Sequence, residues 1–177
     1  FPLITSAILL LMSEFNFNIL HKDLFPKRIV DPVSDFHIRP TVRGVIFDEN
    51  NNICIRSKKG SGFSFLPGGG IENIENPIEA LKRECLEEAG CNITNIQKIG
   101  IVTEYKDEIQ EKRTNECFTA NLDGLKLEPT LAIGDEEGFD VIWINIHEAV
   151  TLLEKQKGTI TEDTANFYSK TFNTVRD

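Results

Sequence analysis

The chain has 177 residues, with 28 Asp plus Glu against 19 Lys plus Arg, for a formal net charge of −9. That length suits one domain with enough core to fold without disulfide or metal support. The acidic balance argues against a protein that tracks a polynucleotide backbone or docks on anionic membranes. At 40% hydrophobic and 27% charged residues, the composition is that of a soluble globular domain and too apolar for disorder.

Residues 1–12 (FPLITSAILLLM) are almost wholly apolar. The stretch is shorter than the roughly 20 residues a membrane span needs. It has no positive n-region, and Glu14 follows at once, which does not suit a signal peptide. Residues 1–11 therefore read as a cloning remnant, a fragment edge or a misassigned start. Residues 1–14 are expected to form a disordered or non-native leader, with a single domain over 15–177 and a cytoplasmic location. Cys54, Cys85, Cys91 and Cys117 include no C-x-x-C pair and no histidine at zinc spacing, so they read as free thiols acting as small hydrophobes.

Residues 13–40, with Pro26, Pro32 and Pro40, read as an extended lead-in with short strands. The runs 41–48 (TVRGVIFD) and 53–58 (ICIRSK) flank Glu49-Asn-Asn-Asn52, a hairpin signal. Glycine-rich stretches follow at 59–62 and 67–70. The sequence then predicts a helix over 77–89. Asn76 can cap it, Pro77 suits its first position, and Glu79 supplies the carboxylate of a capping box. Ile78, Leu81, Cys85 and Ala89 form the expected buried stripe, and Gly90 ends the helix. Beyond it, strands are expected at 95–105 and 113–122, joined by a polar turn over 106–112. A loop through 134–138, a strand at 139–145 carrying Trp143, and helices at 147–157 and 162–175 complete the pattern. Strands on either side of a central helix, with helices at the end, indicate an α/β fold with a mixed sheet covered on both faces.

Acid is concentrated in one segment. Residues 72–88 hold six glutamates against Lys82 and Arg83, a local net of −4. Glu84, Glu87 and Glu88 stand at i, i+3 and i+4, on one side of the helix at the edge of its apolar stripe. Like charges so spaced cost a helix about 0.2–0.5 kcal/mol per pair, and a merely solvated face would interleave lysines. The pattern fits a site for a hard cation such as Mg²⁺ or Mn²⁺. Pro67-Gly-Gly-Gly70 just before it allows close approach of backbone to phosphate or metal.

Gly69, Glu75 and the run Arg83-Glu84-Cys85-Leu86-Glu87-Glu88-Ala89-Gly90-Cys91 resemble the box of the Nudix hydrolase superfamily, G-x5-E-x7-R-E-U-x-E-E-x-G-U, with U bulky and apolar. All seven fixed positions match. Cys85 and Cys91 depart from the usual larger U residues, which should soften packing and leave the chemistry alone. The resemblance implies the Nudix α/β/α sandwich over about 36–157. It also implies hydrolysis of a nucleoside diphosphate linked to a further group X, with release of a nucleoside monophosphate. Glu84, Glu87 and Glu88, with the Gly68 carbonyl, would be the ligands of Mg²⁺ or Mn²⁺. Arg83 would orient the carboxylates, and Glu75 would pair with the loop and helix. The general base falls to Glu84, with Glu88 or Glu137 in reserve, and Glu137 suits a late-loop acidic position better than Glu136.

Arg56 is the preferred phosphate contact among Arg43, Arg56 and Lys58. Gly69, Gly70 and Phe65 join it on the substrate side, while Phe118 reads as core. Loops 15–40, 59–66 and 123–137 would shape the pocket. The expected partner is a small nucleotide: an oxidised or non-standard nucleoside triphosphate, a nucleotide sugar or a dinucleotide. A homodimer is allowed, and neither polynucleotide nor membrane is expected. An isoprenoid diphosphate isomerase and a non-catalytic nucleotide sensor remain the alternatives from other classes. The intact box argues against both, and the charge of −9 disfavours messenger-RNA decapping.

Overall fold

The computed structural model describes residues 14–24, 29–31, 33–59, 63–130 and 138–155. Residues 1–13, Glu136, Glu137 and the helix expected at 162–175 lie outside them. The described elements run β1 (Phe15–Ile19), α1 (His21–Leu24), β2 (His37–Phe47), β3 (Ile53–Lys58), β4 (Phe63–Phe65), α2 (Pro77–Ala89), β5 (Asn92–Lys106), β6 (Glu111–Asp123), β7 (Phe139–Ile144) and α3 (Ile146–Glu154). Among them no helix is long and apolar enough to cross a membrane.

The strands form one mixed sheet in the order β1-β5-β6-β2-β3-β4, with β7 added on β3. β5 and β6 are the antiparallel pair that the sequence suggests, but both are longer. Lys106 pairs with Glu111 in register, and a single 3-10 turn at Asp107–Ile109 joins the strands. Gln110, in the left-handed region at φ 52°, closes that turn. The hairpin expected from 41–48 and 53–58 is nearly absent as a ladder. Phe47 opposite Ile53 is the paired position between β2 and β3. β2 instead runs parallel to β6 along its whole length, from His37 opposite Glu111 to Phe47 opposite Asn121. β3 takes β7 and β4 as its partners.

The turn itself forms, and Asp48 holds it. Its carboxylate accepts from the backbone N–H of Asn50 (2.9 Å) and Asn52 (2.8 Å), and from Lys126 Nζ at 2.7 Å. Lys126 also lies 4.4 Å from the centre of the Trp143 ring, so one cation ties the turn to β7. Burial alone would raise the Asp48 pKa, but Lys126 and the amides of Asn50 and Asn52 outweigh it and bring it down from 3.8 to about 2. A depressed folded value gives stabilisation that is full above the unfolded value and is lost as pH falls through about 2. Asp48→Asn should therefore cost about 1–2 kcal/mol at pH 7. In thermal melts of both proteins, that gap should close between pH 4 and pH 2.

α2 occupies the predicted span and is capped as predicted. Asn76 Oδ1 accepts from the N–H of Ile78 and Glu79, and the Glu79 carboxylate accepts from the Asn76 N–H at 2.9 Å. At its end Gly90 adopts φ 60°, and a Cβ there would lie 2.0 Å from the Leu127 carbonyl oxygen. One expected stripe residue differs: Ile78 is 43% exposed and Ala80 is fully buried in its place. Ile78 is the second residue of α2, in its first turn.

Leu81, Cys85 and Ala89 pack with Val42, Ile46, Cys54, Cys91, Phe118 and Ala120 on one sheet face. Ile53, Ile55, Val45 and Phe47 pack with Ala149, Leu152 and Leu153 of α3 on the other. The sheet is therefore covered on both faces. Cys54, Cys85 and Cys91 are fully buried free thiols. The Cys91 sulfur and burial together push the thiols of Cys54 and Cys85 upward, so both stay protonated.

Candidate active site

The glycine loop lies along the free edge of β2. Val42 N–H donates to the Gly69 carbonyl and Gly44 N–H to the Pro67 carbonyl, both at 2.9 Å, while Ile71 N–H donates to the Pro40 carbonyl at 3.1 Å. This occupation of the β2 edge explains why β3 cannot pair there. Gly68 has φ 136°, and a Cβ on it would meet the Val42 carbonyl oxygen at 2.2 Å. A Cβ on Gly69 would lie 2.3 Å from Glu84 Oε1, whereas Gly70 faces open space. Gly68 is thus required by its contact with the β2 backbone, while a Cβ on Gly69 would have to push the Glu84 carboxylate aside.

Gly69→Ala should displace the Glu84 carboxylate and lower kcat roughly 100-fold, the cost of about 1 Å of misplacement. Gly70→Ala should stay within a few-fold of the parent. Steady-state kinetics on the two variants, with melting temperatures to confirm folding, tests the contrast.

α2 presents its glutamates to this loop. Arg83 gathers them: Nη2 donates to Glu75 Oε1 (2.7 Å) and to the Gly70 carbonyl (2.9 Å). Its Nη1 donates to Glu84 Oε1 (2.9 Å) and to Glu87 Oε2 (3.1 Å). The pKa of Arg83 is pushed further up by these carboxylates, Glu75 foremost, and that of Glu75 is lowered by Arg83 in return. Glu84 behaves differently. It is 9% exposed, and burial raises its pKa although Arg83 and Arg43 act against the shift.

Glu88 is held by other partners. One oxygen accepts from Arg56 Nη1 at 2.5 Å and the other from the Gly68 N–H at 3.0 Å. Arg56 is 5% exposed, and its guanidinium carbon stands 4.7 Å from the centre of the Phe139 ring. The expected phosphate contact is thus buried on a box glutamate. Phe65 packs at 5.8 Å from Phe139 and 5.5 Å from Phe63, forming a small aromatic wall beside Arg56. Phe118 is core, as expected. Glu137, the candidate late-loop acid, lies outside the described residues.

The donor set suits a hard divalent cation, because Glu84, Glu87, Glu88 and the Gly68 carbonyl offer only oxygen. Glu84 Oε1 and Glu87 Oε2 already converge on one cationic nitrogen, Arg83 Nη1. Among the described residues no three His, Cys, Asp or Glu side chains stand as a ready-made metal cage, and Glu88 is turned to Arg56 and the Gly68 N–H. The residues fit such an ion in kind, and the bonds to Arg83 use only Glu84 Oε1 and Glu87 Oε2, leaving the second oxygen of each carboxylate off that arginine.

A mixed sheet between helices, carrying the complete glutamate box against a glycine loop, defines a class. The NUDIX domain family model matches residues 37–167, and the chain belongs to the Nudix family. It is a Nudix hydrolase. An 8-oxo-dGTP diphosphatase of Proteus vulgaris is 35% identical over 91 residues, covering 40% of this chain and 80% of that relative. Among solved structures, a NUDIX hydrolase from Nitrosomonas europaea has a TM-score of 0.55 at 19% identity, over 76% of this chain and 90% of its own. A MutT protein from Bacillus halodurans has a TM-score of 0.53 at 22% identity, over 64% of this chain and 72% of its own. Both structures share the fold with this chain.

Proposed function

We propose that the chain hydrolyses the diphosphate linkage of a small nucleotide, dependent on Mg²⁺ or Mn²⁺, with water attacking phosphorus and a nucleoside monophosphate leaving. The observation that carries this reading is the convergence of Glu84 and Glu87 on a single cationic point beside the glycine loop. An oxidised or non-standard nucleoside triphosphate is the preferred substrate, supported by the resemblance to the 8-oxo-dGTP diphosphatase. The domain is proposed to run over 15–177 and to act in the cytoplasm.

Glu84, Glu87, Glu88 and the Gly68 carbonyl would hold the ion. A bound divalent ion neutralises diphosphate charge and makes water more acidic. Glu84 is the proposed base: its carboxylate lies against Gly69 of the glycine loop, and burial raises its pKa. Arg83 keeps Glu84 and Glu87 pointed at the reaction, and Arg56 with the Gly68 N–H does the same for Glu88. The test is a panel of oxidised and normal nucleoside triphosphates, nucleotide sugars and dinucleotides incubated with Mg²⁺, with products read by mass. Nucleoside monophosphate from at least one member is expected. Loss of no mass from any member would refute the reading.

A further inference from the structure

Three arginines surround the box glutamates, and two are committed to them. Arg83 bonds Glu75, Glu84 and Glu87, and Arg56 bonds Glu88. Arg43 is the third. It lies on β2 between the two rungs that fasten the glycine loop, Val42 N–H to Gly69 and Gly44 N–H to Pro67. A Cβ on Gly68 would lie 3.0 Å from the Arg43 Cα, so the loop's tightest residue presses on this position.

Strand alternation sends Val42 and Ile46 under α2 and places Arg43 on the opposite face, with Thr41 and Val45. The Arg43 side chain is half-buried, and no hydrogen bond or ion pair to it is found among the described residues. Its charge nonetheless reaches the site: burial raises the pKa of both Glu84 and Cys117, and Arg43 acts against each rise. A half-buried guanidinium beside a carboxylate site, bonded to none of those carboxylates, is suited to an anion that arrives with the substrate. Phosphate oxygens match its planar donor fork.

We propose that Arg43 is the substrate-contacting cation of this site, binding an anionic oxygen of the diphosphate on the sheet side of the glycine loop. This rests on the reading of the site as a diphosphatase. It transfers to Arg43 the role that the sequence assigns to Arg56, and Arg56 becomes a positioning residue for Glu88.

The test compares Arg43→Ala and Arg43→Lys with the parent chain. Inorganic pyrophosphate is titrated calorimetrically in the presence of Mg²⁺, and KM and kcat are measured on a nucleotide that the parent hydrolyses. Arg43→Ala should weaken pyrophosphate binding and raise KM by roughly 10- to 100-fold, the range for a charged hydrogen bond, with kcat less affected. Lysine should restore part of the loss. Mn²⁺ affinity by electron paramagnetic resonance and the melting temperature should stay unchanged in both variants.

Pyrophosphate affinity within twofold of the parent in Arg43→Ala overturns the proposal, as does absence of pyrophosphate binding by the parent. Equal losses in both variants with a fall in melting temperature also overturn it, because they mark a structural role. Failure of the parent to hydrolyse any nucleotide would sink the diphosphatase reading alone, since pyrophosphate binding would still decide the role of Arg43.

Discussion

Glu84→Gln is expected to lose about 10²–10⁴-fold in kcat while melting no lower than the parent, the range being that of a removed general base. The two effects have opposite signs for one physical reason. Burial makes the Glu84 carboxylate costly to keep charged, which raises its pKa. Glutamine has the same shape and is neutral, so that cost disappears, and its amide oxygen can still accept from Arg83 Nη1. The charge and the proton-accepting capacity are lost together. Sites that sacrifice stability for chemistry behave this way. Steady-state kinetics at saturating Mg²⁺, with a thermal melt of the same preparation, measures both. A variant that kept its turnover would remove Glu84 from the mechanism, and a large fall in melting temperature would show that its carboxylate is structural.

Arg56→Met should be the most destabilising change in the site. Removing one partner of a buried pair leaves the other charged and unpaired, at a cost of about 3–5 kcal/mol. Here the group left behind is Glu88, which accepts from Arg56 Nη1 and from the Gly68 N–H. Methionine fills similar volume, so a cavity contributes little. Adding Glu88→Gln removes the stranded charge and should recover most of the stability, with activity still absent. A double-mutant cycle in urea, with stability and activity scored separately, checks the coupling. If Arg56→Met costs under 1 kcal/mol, Arg56 does not hold Glu88 in solution.

The parts of this molecule that could be read from its sequence are those set by local chemistry. α2 is fixed by residues within a few positions of each end: Asn76, Pro77 and Glu79 at the start, Gly90 at the finish. Spacing along that one helix placed Glu84 and Glu88 at the margin of the Leu81 and Cys85 stripe, and both are buried there. Gly69 was legible from its place in the box, and a Cβ there would meet the Glu84 carboxylate.

Pairing between distant segments could not be read in this way. Glu49-Asn-Asn-Asn52 is a sound turn signal, and a turn forms, yet nothing near it announces that Pro67–Gly70 will claim the edge of β2 or that β6 will take its other edge. The burial of Arg56 against Glu88 was illegible for a related reason. A cation in a strand usually faces water, but Ile53–Lys58 carries buried residues on both faces because it lies inside the sheet with α2 packed on one face and α3 on the other, a position no local pattern reveals. The run Ile53-Cys-Ile-Arg56 did hold one clue: a cation that interrupts a continuous apolar strand needs a buried anion.

The central claim is hydrolysis of a diphosphate by water under divalent-metal dependence, and ¹⁸O labelling tests it most directly. The parent chain is incubated with the best nucleotide of the panel in H₂¹⁸O, with Mg²⁺ in one arm and excess chelator in the other, and the products are weighed. One ¹⁸O in a phosphate-bearing product of the Mg²⁺ arm, and intact substrate in the chelator arm, is the predicted result. Full turnover in chelator, or products carrying no ¹⁸O, would contradict it.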